Sequence, residues 1–134
     1  MPLLLDTSAW IEYLRDTGSP ACAEVARLMR RPSALATTEP IVMELLAGAP
    51  NPRAQRELET LAAGLPLLSV DIAVDYHDAA AIYRAVRGTG KTVRRMNDCL
   101  IAAVAARTGA TLVHRDADFD GIADAVGLDV RRLI

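Results

Sequence analysis

Short apolar runs alternate with helix-like segments along the whole chain, and no two runs are joined by a hairpin signal. Residues 3–5 form the first run, and the β-branched residues 111–113 form a later one, each followed by a helical pattern. Two parallel neighbouring strands need a long crossover between them, and that crossover is usually a helix. Strands that are separated by helices therefore favour parallel pairing. The alternation predicts an α/β sandwich around a mostly parallel central sheet.

The same kinds of sequence pattern predict helices and strands along the rest of the chain. Helices are predicted between capping residues or prolines at their starts and glycines or basic residues at their ends. They cover residues 8–14, 19–29, 38–47, 51–63, 72–86, 95–107 and 118–126, with Asp71 as the cap of the fifth. Further β-compatible runs lie at residues 35–37, 65–70 and 130–134, the last as an edge strand.

Length and composition favour one globular domain over residues 1–134. Hydrophobic residues make up 51% of the chain, and no apolar run approaches the roughly 20 residues that span a membrane. The N-terminus lacks the pattern of a signal peptide, so we expect a cytoplasmic protein. Cys22 and Cys99 lie far apart without a CxxC motif, which predicts reduced, small core residues rather than a zinc site or a disulfide.

Asp6 and Asp116 each follow a predicted strand. In parallel sheets, ligands bind outside the carboxyl ends of the strands, so both carboxylates are candidates for a shared site. An Asp between a strand and a helix is also a common helix cap. Neither position decides between the two roles by itself.

Glu44 and Asp98 are isolated acids on strongly apolar helical segments. A solvated helix face would carry more polar residues per turn, so both carboxylates are expected to need a partner. That partner is either a metal ion shared with the other acids or an arginine in a structural ion pair. Four carboxylates brought together would repel one another unless a cation lay among them, and Mg²⁺ or Mn²⁺ suits an all-oxygen ligand set. Such a site is typical of phosphodiester hydrolysis by metal-activated water.

Four segments carry a family resemblance. They are Leu5-Asp6-Thr7-Ser8-Ala9-Trp10-Ile11, Met43-Glu44-Leu45-Leu46-Ala47-Gly48, Asn97-Asp98-Cys99-Leu100-Ile101-Ala102-Ala103 and His114-Arg115-Asp116-Ala117-Asp118-Phe119. In order and spacing they resemble the motifs of PIN domains, in particular the VapC toxins of type II toxin–antitoxin pairs. The resemblance runs from residue 3 to about residue 122.

The resemblance implies a PIN-like three-layer α/β/α sandwich and a Mg²⁺- or Mn²⁺-dependent endoribonuclease. Its family acids fall on Asp6, Glu44, Asp98 and Asp116, with Asp118 as an auxiliary metal ligand or a helix cap and Ser8 as the partner that orients Asp6. It also implies a homodimer, an RNA substrate and a VapB-like antitoxin that occupies a groove on the toxin. No membrane partner is expected.

The formal net charge of −2 would by itself count against nucleic-acid binding. Basic residues nevertheless cluster ahead of Asp98, and Lys91, Arg94 and Arg95 are predicted to contact RNA. The alternative is that one of the two arginines neutralises Glu44 or Asp98, or only solvates the start of a helix.

Several weaker signals have two readings. His114 either shuttles protons or has a structural role. Trp10, Tyr13 and Leu14 either line an antitoxin groove or pack in the core. Among other classes of protein, a phosphoryl-accepting domain would need an acid pair after the first strand, an acceptor Asp after a middle strand and a Lys directly after a late strand. Asp6-Thr7 and His114-Arg115-Asp116 supply neither the pair nor the Lys. A catalytically inactive interaction module would not need all four acids.

Overall fold

The central sheet has four strands and is parallel throughout, as predicted. The computed structural model describes residues 2–134, and its strands lie in the order β2-β1-β3-β4. The strands are β1 (Leu3–Leu5), β2 (Leu35–Ala36), β3 (Thr111–His114) and β4 (Val130–Arg132). The predicted edge strand over residues 130–134 is therefore present but shorter.

Helices connect the strands, and each predicted helix is present. They are α1 (Thr7–Leu14), α2 (Pro20–Leu28), α3 (Glu39–Ala47), α4 (Pro52–Ala63), α5 (Asp75–Gly88), α6 (Met96–Thr108) and α7 (Ala117–Val126). A 3₁₀ turn at Pro32–Ala34 precedes β2. None of the helices within residues 2–134 combines the length and apolar character required to cross a membrane.

The strand order makes the chain reverse direction across the sheet. From β1 it moves to one edge to form β2, and then crosses back past β1 to form β3 and β4. Crossovers between parallel strands are right-handed, so α1 and α2, which connect β1 to β2, cover one face of the sheet. The helices that cover the other face come from α3–α7. This layered α/β arrangement confirms the predicted fold class. The reversal lies between β1 and β3, where open α/β sheets bind their ligands.

The core consists mainly of aliphatic side chains from the sheet and from α6. Leu4, Leu5, Leu112 and Val113 are fully buried in the two central strands. Helix α6 is buried on almost every side from residue 98 to residue 105, so its sequence is apolar without a polar face. Cys22 and Cys99 are both buried and free, as predicted.

Two predicted elements are wrong in their extent. Residues 65–70 form no strand and make a single parallel bridge from Leu67 to Thr37. Pro66 has no N–H to donate, and the Val70 N–H donates instead to the Glu39 carboxylate, so the ladder stops. Their apolar character reflects partial burial against the core.

The fifth helix begins at Asp75 rather than at residue 72, and Asp71 does not cap it. The Asp71 carboxylate accepts from the Ala73 N–H and closes a local turn. The Asp71 N–H then donates to the Asp75 carboxylate, which also pairs with Arg107 at 2.9 Å. This network, which is centred on the buried Asp75 carboxylate, therefore sets the start of α5.

The other six helix starts differ by one residue from the predicted ranges, and two of these shifts concern the acidic segments. Helix α7 begins at Ala117 because Asp116 is its N-cap, and Asp118 lies in its first turn. Helix α6 begins after Arg95, so Arg94 and Arg95 stand before the helix rather than on it. Trp10 is fully buried and packs edge-on against Tyr13, which supports the core-packing alternative for Trp10.

Candidate active site

Asp6 ends β1 and caps α1. Its Oδ2 atom accepts hydrogen bonds from the Ser8 N–H at 2.9 Å and from the Ser8 hydroxyl at 2.6 Å. The hydroxyl oxygen in turn accepts from the Arg115 N–H at 2.9 Å, which ties this turn to the one after β3. Asp6 Oδ1 is buried and has no hydrogen-bond partner within residues 2–134. Asp6 therefore caps α1 with Oδ2, and its Oδ1 atom remains available to bind a ligand.

Asp116 has the same position after β3. Its Oδ1 caps α7 by accepting from the Asp118 N–H at 2.9 Å. Asp118 Oδ2 accepts from the main chain of Arg94 at 3.1 Å and from its Nε atom at 3.0 Å. Both acids of the Asp-x-Asp turn thus face the segment that leads into α6.

Asp98 comes from the first turn of α6 and, like Asp6, is almost completely buried. Its side chain is 1% exposed, and neither carboxylate oxygen has a hydrogen-bond partner in the described part of the chain. The nearest cationic group is Arg95, whose Nε lies 3.5 Å from Asp98 Oδ2. A buried carboxylate without hydrogen bonds is costly unless a cation is bound to it.

Glu44 reaches the site from α3 and is positioned by a residue that the sequence analysis did not single out. Asn97 Nδ2 donates to Glu44 Oε1 at 2.8 Å. The same nitrogen lies 3.4 Å from the carbonyl oxygen of Pro40, at the start of α3. Asn97 therefore links α3 to α6. Its place directly before Asp98 on an apolar helix was the one available signal.

The five acids gather into two overlapping groups around Asp98. One carboxylate oxygen from each of Asp6, Glu44 and Asp98 lies within 4.8 Å of the other two. The same limit holds among Asp98, Asp116 and Asp118. All the predicted acids are thus brought together, and Asp98 belongs to both groups. Either group offers the oxygen ligands that hard divalent cations prefer.

Burial dominates the electrostatics of this acidic cluster, which comprises Asp6, Glu44, Asp98, Asp116 and Asp118. Burial raises the pKa of Asp98 to about 7, and the neighbouring carboxylates add to the shift while Arg95 opposes it. Burial also raises the pKa of Asp6 and of Glu44, although hydrogen bonds from Ser8 and from Asn97 work against it. The carboxyls of Asp6, Glu44 and Asp98 are thus held in an environment that disfavours negative charge unless a cation compensates for it.

The three predicted RNA-binding residues differ in their surroundings. Arg94 Nη2 lies 2.9 Å from Asp116 Oδ1, and Arg95 lies between 3.4 and 3.7 Å from carboxylate oxygens of Glu44, Asp98 and Asp116. Their side chains remain 69% and 54% exposed. Lys91 is exposed, and its Cδ atom lies 3.7 Å from the point that a β-carbon would occupy at Gly121 in α7. Both arginines thus neutralise the acids while facing solvent.

A cavity of about 600 Å³ opens beside the acidic cluster. Its walls are largely apolar and come from α1, α3 and α4, including Ile11, Leu14, Leu45, Leu58 and Leu61. The charged residues Arg15, Glu44 and Glu57 also line it. Leu14 is 42% exposed and lines this cavity, in contrast to the buried Trp10.

Comparison with known proteins gives a consistent family. The PIN domain family matches residues 3–125. Ribonuclease VapC11 of Mycobacterium tuberculosis is 56% identical over 127 residues, which cover 94% of this chain and 95% of that protein.

Two solved structures share the fold. VapBC2 from Rickettsia felis, bound to a DNA fragment from its promoter, superposes with a TM-score of 0.78 at 17% identity over 100% of both chains. VapBC-5 from M. tuberculosis, a member of the VapBC family of toxin–antitoxin systems, has a TM-score of 0.57 at 26% identity and covers 99% of this chain and 98% of its own. The family match and the 56% identity together show that the chain belongs to the PIN-domain family and, within it, to the VapC ribonucleases.

Proposed function

We propose that this chain is the toxin of a toxin–antitoxin pair and cuts RNA with a Mg²⁺- or Mn²⁺-dependent site formed by Asp6, Glu44, Asp98 and Asp116. Asp118 is an auxiliary ligand, and residues 1–134 act as a single PIN domain. One observation carries the proposal: Asp98 is buried beside two other acids with neither oxygen hydrogen-bonded within residues 2–134. A hard divalent cation fits this donor set, because it takes oxygen ligands and compensates the buried charge.

The residues of the chain have separable tasks at this site. Asp6, Glu44 and Asp98 would hold an ion, and Asp116 and Asp118 would complete its surroundings together with Asp98. A bound Mg²⁺ or Mn²⁺ would supply a Lewis acid that makes water more acidic and offsets the charge on a phosphate. Ser8 orients the Asp6 carboxylate, and Asn97 does the same for Glu44. Both hydrogen bonds leave the second oxygen of each acid free of that donor.

The apolar cavity beside the cluster fits a segment of a VapB-like antitoxin. Its walls are largely leucine, isoleucine and alanine side chains, and Glu44 of the acidic cluster also lines it. An apolar segment with one basic residue would match both features, because the basic group would pair with Glu44. Such a segment would lie directly beside the cluster and block it.

A homodimer is the expected state of the toxin itself. The family resemblance supports it, and several large apolar side chains outside the cavity are exposed. These are Met43, Leu67, Ile72 and Tyr76, with exposed fractions between 55% and 81%. Exposed large apolar side chains are a common mark of interaction surfaces.

The first prediction concerns the need for a divalent ion. RNA cleavage by the purified chain should stop in excess EDTA and return with Mn²⁺, and Asp98→Asn should lower cleavage by about 100-fold or more. Gel assays on total RNA provide the measurement, with Asp124→Asn on the exposed face of α7 as the matched control. Undiminished cleavage in excess chelator, or a fully active Asp98→Asn variant, would contradict the proposal.

The second prediction concerns stability in the metal-free protein. The folded pKa of Asp98 lies above its unfolded value of 3.8, so the fold prefers the protonated form. The cost of ionising it is absent below about pH 4, grows as pH rises and is complete above about pH 7. Asp98→Asn cannot ionise, so its stability advantage over the wild type should increase with pH, to an upper bound of about 4 kcal/mol.

Denaturant unfolding in EDTA at pH 4.5 and pH 8 measures this difference. Asp124→Asn, on the exposed face of α7, is the matched control for the loss of one carboxylate. If the difference in free energy of unfolding between Asp98→Asn and wild type stayed constant or shrank as pH rose, the fold would not disfavour the charged form of Asp98.

The third prediction separates the two roles of Arg94 and Arg95. Replacing both with Ala in an Asp98→Asn background should weaken RNA binding and flatten the slope of log affinity against log salt by about one to two units. The reason is that their exposed guanidinium groups add positive charge at the rim of an acidic cluster. Arg53→Ala/Arg56→Ala on α4 removes the same charge from another surface and should leave the slope nearly unchanged. An unchanged slope in the Arg94/Arg95 variant would leave these arginines with the neutralising role alone.

The fourth prediction concerns the antitoxin groove. Leu14→Glu places a charge on the apolar wall of the cavity and should weaken binding of the antitoxin encoded beside the toxin gene by about 10- to 100-fold, the effect of losing one buried leucine contact. Val126→Glu is the control, because Val126 is similarly exposed but lies on α7. Calorimetry on purified proteins gives both affinities. Equal binding by Leu14→Glu and wild type would remove the cavity from the antitoxin interface.

A further inference from the structure

His114 is a fully buried polar residue that is not a member of the acidic cluster. It ends β3, two residues before Asp116, and its ring packs against Phe119 with 5.3 Å between ring centroids. Its Nδ1 accepts a hydrogen bond from the main-chain N–H of Asp116 at 3.1 Å. Its Nε2 lies 3.4 Å from Asp120 Oδ1. The ring therefore sits between the backbone of one cluster acid and the carboxylate of another helix residue.

The hydrogen bond defines the state of the ring. An N–H can donate only to an unprotonated nitrogen, so Nδ1 carries the lone pair and the neutral ring carries its proton on Nε2. Burial lowers the pKa of His114, which favours this neutral form. Nε2 lies 3.4 Å from Asp120 Oδ1 without making a hydrogen bond within residues 2–134, and Arg132 pairs with the same Asp120 carboxylate.

The backbone N–H of Asp116 has no place in regular structure. Asp116 is the N-cap of α7 with extended torsion angles, φ −139° and ψ 123°, so its N–H lies outside the helix. The imidazole provides the acceptor for this group. The carboxylate that follows caps α7 and pairs with Arg94, so the orientation of this one peptide bears on where the carboxylate stands.

We propose that His114 is a positioning residue for the acidic cluster: its Nδ1 holds the Asp116 peptide and thereby sets the place of the Asp116 carboxylate. The inference rests on the proposed function only for its consequence, the binding of a divalent ion. Partners that orient the ligands of metal sites commonly change metal affinity by about 10- to 100-fold when they are replaced. His114 is thus distinct from a proton shuttle, because Nδ1 is already occupied by a backbone donor.

Two substitutions of similar polarity separate positioning from mere filling of the core. An Asn side-chain oxygen is two bonds from Cβ, as Nδ1 is, whereas a Gln side-chain oxygen is three bonds away, as Nε2 is. His114→Asn therefore keeps an acceptor for the Asp116 N–H, and His114→Gln moves it away. Both variants lose the ring, so both share any general cost to stability.

Mn²⁺ binding by calorimetry, below the melting temperature of each variant, is the first readout. We expect His114→Gln to weaken Mn²⁺ binding by about tenfold or more and His114→Asn to stay within about threefold of wild type. Equal affinities in all three proteins, or equal weakening in both variants, would overturn the proposal.

Nuclear magnetic resonance of the metal-free protein is the second readout and does not depend on the proposed function. In wild type, the ring should carry its proton on Nε2, and the Asp116 amide should be protected from hydrogen exchange in wild type and His114→Asn but not in His114→Gln. A proton on Nδ1 of wild type would overturn the proposal even if neither variant folded. If wild type bound no Mn²⁺, the proposed ion site would fall, and protection of the Asp116 amide would decide the role of His114 alone.

Discussion

Placing several carboxylates side by side in a buried position costs free energy, and the structure around Asp98 is organised by that cost. Asp98 is 1% exposed, and its pKa rises to about 7, mainly because burial disfavours the charged form. The fold brings Asp6 and Asp116 to the same place because β1 and β3 are hydrogen-bonded neighbours and end together. Crossovers leave these two strands towards opposite faces, so the space beyond their ends is free for side chains.

The surrounding residues meet the cost in different ways. Ser8 and Asn97 donate hydrogen bonds to one oxygen of Asp6 and one of Glu44, which fixes those side chains. Arg94 and Arg95 supply positive charge from a segment just before α6. None of these groups reaches Asp98 with a hydrogen bond, and a divalent cation is the partner that fits the oxygens left over. The buried acid, its neighbours and the proposed chemistry thus share one requirement for positive charge.

Much of this arrangement could be predicted from sequence because it depends on local patterns. The strand–Asp–helix order at Asp6 and at Asp116 indicates the carboxyl ends of the two central strands. Glu44 and Asp98 are recognisable as isolated acids on apolar helices. The helix-cap and site readings of Asp6 and Asp116 were posed as alternatives. The geometry is compatible with both at once, because a cap uses only one carboxylate oxygen.

The features that escaped prediction depend on contacts between distant segments. Asn97 reaches Glu44 across 53 residues, and Arg107 joins Asp75 across 32, so no local pattern marks either pair. The helix start at Asp75 follows from that second pair rather than from the capping preference of Asp71. Residues 65–70 have the composition of a strand, yet Pro66 and the Glu39 carboxylate end their pairing after one bridge.

The central claim is that the buried carboxylates around Asp98 form a divalent-metal site. Crystals of the wild-type chain soaked in Mn²⁺ and measured at a wavelength where manganese scatters anomalously test it most directly. We expect an anomalous peak in contact with carboxylate oxygens of Asp98 and at least one of its neighbours in the cluster, and no such peak in Asp98→Asn. Crystals in which Mn²⁺ binds elsewhere, or leaves the oxygens of Asp98 without a cation, would contradict it.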